Sequence, residues 1–177
     1  MLKRLTLACV VVATFTSSSG AQTKSQMIAD WTRARETVLA YIDAMPDSAM
    51  TFHPTPGVRT FGEQIIHVVV YDADIAARVL RGMTAAPFQY DTATTPRQKA
   101  LLRDYAARSF AFVLESLQAA TPAMFSKTFT LPDYENNTQS GARWMEMARE
   151  HSVWTLGQTV PYLRLNGVTP PTYKIPF

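Results

Sequence analysis

Three histidines, His53, His67 and His151, are the side chains of this chain best suited to hold a divalent ion or to move a proton near neutral pH. His67 falls on a helical face with Gln64, Tyr71, Asp74 and Arg78, at separations of three, four, seven and eleven residues. A polar stripe of that kind either lines a cavity or forms a buried hydrogen-bond network that fixes helix packing. His151 shares a second helical face with Thr155 and Gln158. His53 stands before Pro54 in a turn-rich stretch and reads as a loop residue. Two imidazoles on separate helices do not make a Zn or Ni centre, which needs three or more protein ligands. Glu63, one turn before His67, is the candidate third ligand, and Tyr71, one turn after it, a weaker one. The chain has one cysteine, Cys9, no Gly-x-Ser-x-Gly nucleophile motif and no phosphate-cradling glycine loop.

Such side chains need rigid elements to hold them, and the apolar pattern supplies four helices. The first spans about 25–45, where Met27, Trp31, Ala34, Val38, Tyr41, Ile42 and Met45 recur at spacings of three and four, and Pro46 stops it. Thr60 and Glu63 form a capping box for the second, which runs to about Arg81 with Gly82 as its stop. The β-branched run 65–71 would also suit a strand; the cap and the length of the segment favour a helix, largely buried. The third starts with Thr95 as cap, Pro96 at the first helical position and Gln98 three residues past the cap, and ends near Ala119. A long connection follows, with 125–131 extended as one arm of a short hairpin. The fourth helix spans 141–165, with Trp144, Ala148, His151, Thr155, Gln158, Tyr162 and Leu165 on one face. Pro161 inside it removes a hydrogen bond to the Gly157 carbonyl and predicts a kink. The expectation is an all-α, four-helix bundle with a long third connection, in a single domain over 22–177.

Residues 1–21 read as a signal peptide. Lys3 and Arg4 precede an apolar stretch over 5–15 that is too short to span a bilayer, and Ser19-Gly20-Ala21 fits a small-x-small cleavage site, with the cut after Ala21. A retained N-terminal anchor is the second reading. Export to the periplasm or the extracellular space is the expected destination. Cleavage removes Cys9, so the mature chain can form no disulfide, thiolate metal site or cysteine nucleophile. It also removes two of the 17 basic residues and none of the 14 acidic ones, so the net charge falls from +3 to +1. The basic character is thus mainly that of the leader and gives no argument for nucleic-acid binding. The expected partner is a small molecule, with no membrane contact after cleavage; a homodimer through exposed helix faces is compatible with a bundle.

The run Phe52-x-Pro54-x-Pro56-Gly57-Val58-Arg59-Thr60-Phe61-Gly62-Glu63-Gln64-x-x-His67 resembles the first-to-second-helix region of DinB-like proteins. Gly157-Gln158-x-x-x-Tyr162-Leu163-Arg164-x-x-Gly167-x-x-Pro170-Pro171-x-Tyr173 is similar to their last helix and tail, and Trp31, Met45-Pro46 and Phe52 to their opening. The resemblance implies an up-down-down-up bundle. It also implies a divalent metal held by three histidines, one on the second helix and two on the last, and hydrolase or thiol-transferase chemistry. His67 and His151 match two of those ligands. The third position falls on Thr155, a neutral hydroxyl and a poor ligand for Zn or Ni. Two expectations follow: a degenerate two-histidine site that takes a small ligand in a cleft with Gln64, Tyr71 and Gln158 and binds no metal, or a metal-dependent enzyme with His67 and His151 as ligands and Glu63 or water completing the shell.

Overall fold

A computed structural model describes residues 22–132 and 136–173. The signal-peptide reading over 1–21 lies outside the described residues. Four long helices form the frame: α1 (Lys24–Ala44), α2 (Phe61–Arg81), α3 (Lys99–Ala119) and α5 (Gly141–Gly157). A short helix α4 (Pro122–Ser126), a two-stranded hairpin of β1 (Thr128–Thr130) and β2 (Thr138–Ser140), and a final helix α6 (Val160–Leu165) complete the α-helices and strands among the described residues, with 3-10 turns at Asp47–Ala49 and Thr95–Arg97. None of the helices among them is long and apolar enough to cross a membrane.

Local chemistry accounts for the helix boundaries. Thr60 accepts from the Glu63 amide while Glu63 returns a bond to the Thr60 amide at 2.8 Å, the reciprocal pair that satisfies two otherwise orphaned donors. Gly82 ends α2 in the left-handed region, at φ 63°, where a side chain would be strained. The β-branched run 65–71 is helical and buried over most of its surface, so burial overrides its strand propensity.

Contacts give the helix directions. Asp43 meets Arg103 and Lys24 reaches the Gln118 and Ala120 carbonyls, so α1 and α3 are antiparallel. Gly62 lies against Pro96, and Arg81 donates to Ser116 at 2.9 Å, so α2 and α3 are parallel. Gln64 meets Gln158 and His67 meets His151, so α2 and α5 are antiparallel. The order is up-down-down-up, as expected. A parallel α2–α3 pair requires residues 83–98 to travel back along α2, and that return forms one wall of the cleft described below. The core is built around Trp31, Phe61, Phe110 and Trp144, each no more than 1 % exposed. Of the long helices that pack side by side, α1 and α5 touch least and leave a seam between them.

Two boundaries differ from the sequence expectation. Thr95–Arg97 forms a separate 3-10 turn, and α3 starts at Lys99 behind an extended Gln98 whose side chain makes no capping bond. Thr95 and Pro96 are buried, with Pro96 packed on Gly62, and that tertiary contact displaces the local cap. The fourth helix is broken rather than kinked. It ends at Gly157 and resumes at Val160, with Pro161 in the first turn of α6, where its missing N–H is harmless. Leu165, expected on the inward face, is 63 % exposed as a result. The extended arm expected over 125–131 narrows to β1, since α4 takes 125 and 126.

Candidate functional site

His67 projects from the middle of α2 and His151 from the middle of α5. Their Nε2 atoms are 3.1 Å apart and the rings are nearly perpendicular, at 78°. Tyr71, one turn along from His67, lies against the His151 ring with centroids 4.4 Å apart. Thr155, 2 % exposed, places its Oγ1 3.4 Å from His151 Nε2. One turn further, the buried Gln64 donates its amide to the Gln158 carbonyl oxygen at 3.0 Å, and Arg59 approaches Gln64 at 3.4 Å. Tyr162 anchors the Arg59 backbone by donating to its carbonyl at 2.8 Å.

Both imidazoles are pushed toward the neutral form. Burial lowers the pKa of His67, and the nearby Arg59 charge lowers it further. Burial also lowers that of His151, followed by repulsion from His67 and Arg59. A neutral pair can share one hydrogen bond if one ring carries a proton on Nε2 and the other offers a lone pair there. His151 Nδ1 is buried with no partner among the described residues. Because an orphaned acceptor is tolerated better than an orphaned N–H, His151 is the better donor through Nε2 and His67 the acceptor.

This pair sets a pH dependence. Groups whose native pKa is lowered below the unfolded value of about 6.5 resist protonation only when folded. Stability is therefore expected to be full above pH 7 and to fall as the pH drops through about 6.5 toward the lowered native values. Thermal melts of the chain and of His67→Gln between pH 8 and 5 check this, and the variant should lose less of its melting temperature over that interval.

Beside His67, on the side away from α5, lies a cavity of about 560 Å³, within the usual range for small-molecule sites. Its α2 wall carries Glu63, His67, Tyr71, Asp74 and Arg78, its mouth Arg59, and its far wall Tyr90, Thr92 and Pro96 of the return segment. The expected stripe on α2 is thus cavity-lining at Tyr71, Asp74 and Arg78, but Gln64 is turned toward α5. His151, Thr155 and Gln158 do not line this cavity; they stand behind His67 as its support. His53 remains in the connector, with its Nδ1 2.9 Å from the Thr55 carbonyl.

The donor set can be compared with the metal centre that the resemblance implies. Two imidazole nitrogens 3.1 Å apart are spaced as a pair sharing one ion with bonds of about 2.0–2.1 Å would be. The third donor does not fit. Thr155 offers a neutral hydroxyl, and the Glu63 carboxylate is bound to the Thr60 amide at the helix cap. No group of three or more His, Cys, Asp or Glu side chains among the described residues is arranged to hold a metal. The set is one ligand short of a three-ligand centre.

A family model for the DinB superfamily matches residues 30–158. The chain belongs to the DinB superfamily. No curated protein matches it. Two solved DinB-like proteins share its fold. The one from Bacillus subtilis superposes with a TM-score of 0.70 at 15 % identity, covering 86 % of this chain and 99 % of its own. The one from Bacillus cereus gives 0.71 at 18 % identity, covering 88 % and 100 %. The matched span holds Trp31, Met45-Pro46 and the whole run 52–67, and it ends at Gln158, so most of the second DinB-like run lies beyond it.

Two residues with consequences for this DinB bundle are not marked out by sequence pattern. Arg59 lies within the DinB-like run 52–67, but only folding brings its charge to both imidazoles. Asp72 stands five residues from His67 and off its face, two residues before Asp74; its carboxylate is buried between α2 and α5, where Ser152 donates to it at 2.5 Å.

Proposed function

We propose that this chain is an exported DinB-superfamily binding protein whose ancestral metal position has become a metal-free histidine pair beside a cleft for a small ligand. The observation that carries the reading is the contact of His67 and His151 through Nε2, closed by the Thr155 hydroxyl where a third imidazole would complete a metal shell. The cavity beside His67 offers Tyr71 and Tyr90 as aromatic walls and Arg59, Asp74 and Arg78 as polar anchors, the mixture expected of a small-molecule site. In this reading His67 presents a neutral imidazole to the ligand, held in its tautomer by His151. Residues 1–21 direct the chain to the periplasm or outside the cell and are removed near Ala21, and the mature protein needs neither nucleic acid nor membrane. A homodimer through exposed helix faces is compatible with the bundle.

Elemental analysis tests the reading. The mature chain is expected to purify with far less than one equivalent of Zn or Ni, and Thr155→His to take up about one equivalent, because the new imidazole would join two already in place. Stoichiometric, tightly held metal in the unmodified chain would overturn the proposal.

One observation favours a second reading. The 3.1 Å separation of the two nitrogens suits a shared divalent ion. Then His67 and His151 would be ligands, Glu63 or water would complete the shell, and the chemistry would be that of a hydrolase or thiol transferase. The double substitution His67→Ala, His151→Ala should then abolish metal binding; unchanged metal content in it would remove this reading.

A further inference from the structure

The seam between α1 and α5 encloses a second cavity, of about 260 Å³, on the side of α5 away from the histidine cleft. Its walls are carbon: Ala34 and Val38 from α1 face Leu156 and Val160 across it. Four hydroxyl side chains border it, and the two aliphatic ones are already used; the other two are the phenols of Tyr41 and Tyr173. Thr37 donates to the Arg33 carbonyl at 2.8 Å and Ser152 to the Asp72 carboxylate at 2.5 Å. Apart from the Tyr41 phenol, a polar ligand would find little to bond with inside. An aliphatic one of about eight heavy atoms would fill the space, at roughly 30 Å³ each.

The mouth has a different character. Arg33 and Arg149 stand there against one acid, Asp30. Asp30 is already held by the Arg33 guanidinium and the Gln22 amide. The Arg149 Nε lies 3.9 Å from Asp30, beyond hydrogen-bonding range, and Arg149 has no other ionic partner among the described residues. Farther out, Arg143 and Glu146 pair with each other at 3.2 Å, and Glu150 lies on the outer shelf rather than in the cavity lining. The mouth thus carries one uncompensated positive charge. Arg33 and Arg149 are only 21 % and 29 % exposed, so an anion reaching them would be partly withdrawn from water, where charge-assisted bonds are strong.

We propose that this seam is a second ligand site, which takes an aliphatic monocarboxylate of medium chain length with its chain between α1 and α5 and its head group on Arg149. Apolar walls with one open guanidinium at the entrance match a single-headed anionic amphiphile and disfavour dianions, sugars and neutral polar molecules. Tyr173, on the tail that follows α6, borders the same cavity.

Octanoate, with octan-1-ol as its uncharged counterpart, is the probe, titrated calorimetrically into the mature chain. Octanoate is expected to bind saturably at one site and more tightly than octanol. Arg149→Met keeps the aliphatic stem and removes the charge; it should weaken octanoate about tenfold or more and leave octanol unchanged. Gly157→Leu should abolish binding of both with the fold intact, because Gly157 borders the cavity and a Cβ there meets nothing within 4 Å. His67→Ala should leave octanoate binding unchanged, which separates this site from the histidine cleft. Absence of saturable binding, equal affinity for octanol, or binding indifferent to both Arg149→Met and Gly157→Leu would overturn the proposal. So would cosedimentation with anionic vesicles in the absence of octanoate binding, which would assign the charge to a lipid surface instead.

Discussion

Replacing Gly62 with alanine is expected to destabilise the chain by about 3 kcal/mol, at the upper end of overpacking effects, and to lower its melting temperature by roughly 6–12 °C for a domain of this size. Gly62 is the second residue of α2, where alanine would ordinarily be the better helix former. Here a Cβ would lie 1.8 Å from the Pro96 carbonyl oxygen and 2.7 Å from its carbon. The obstacle is backbone, so no rotamer change relieves it, and either the Thr95–Arg97 turn or the start of α2 must move. Both choices damage the site, because Pro96 lines the cavity and Arg59 and Glu63 flank the displaced residue. Gly157→Ala is the matched control. Its Cβ meets nothing within 4 Å and its φ is unexceptional, so it should be neutral or stabilising by up to about 1 kcal/mol. Urea melts of the three proteins decide the matter, and a Gly62→Ala variant as stable as the parent would show that the close approach of α2 to the α3 entry does not hold.

What the sequence reveals here is what local chemistry controls. The Thr60–Glu63 box, Gly82 and the three- and four-residue spacing from Met27 to Ile42 each act within a turn or two, and the corresponding ends of α1 and α2 appear within a residue or two of where those signals place them. Thr95-Pro96-Arg97-Gln98 carries an equally good local signal and misleads, because Pro96 is claimed by Gly62, more than thirty residues earlier. The site divides in the same way. His67 and His151 are recognisable as a pair through family resemblance, and Thr155 as the departure. That the cavity lies on the loop side of His67, with His151 behind it, depends on the return path of 83–98 along a parallel helix pair, and nothing in the spacing of Tyr90, Thr92 and Pro96 announces it. The charge of Arg59 near both imidazoles has the same long-range origin.

Asp72→Asn is expected to stabilise the chain at pH 8 by about 2 kcal/mol, the scale of one unsatisfied buried polar group, and to change almost nothing at pH 4. Asp72 is 1 % exposed; its Oδ2 accepts from Ser152, and its Oδ1 has no partner among the described residues. Burial raises its pKa well above the ordinary carboxylate value, against the smaller opposing effect of the Ser152 hydrogen bond. A carboxyl group whose native pKa is raised contributes fully below the unfolded value of about 3.9 and loses that contribution as the pH rises toward the native one. The histidine pair, with lowered native values, acts in the opposite sense and weakens the fold as the pH falls below about 6.5. The two effects meet at the same α2–α5 interface, since His151 and Ser152 are adjacent, and together they should give a stability maximum that shifts upward in pH when Asp72 is neutralised. Asparagine keeps the acceptor for Ser152 and the shape of the acid, but cannot ionise. Melting curves of the parent and Asp72→Asn from pH 4 to 8 should therefore coincide at the acid end and separate steadily toward the alkaline end. Parallel curves would mean that Asp72 is not held as the neutral acid between α2 and α5.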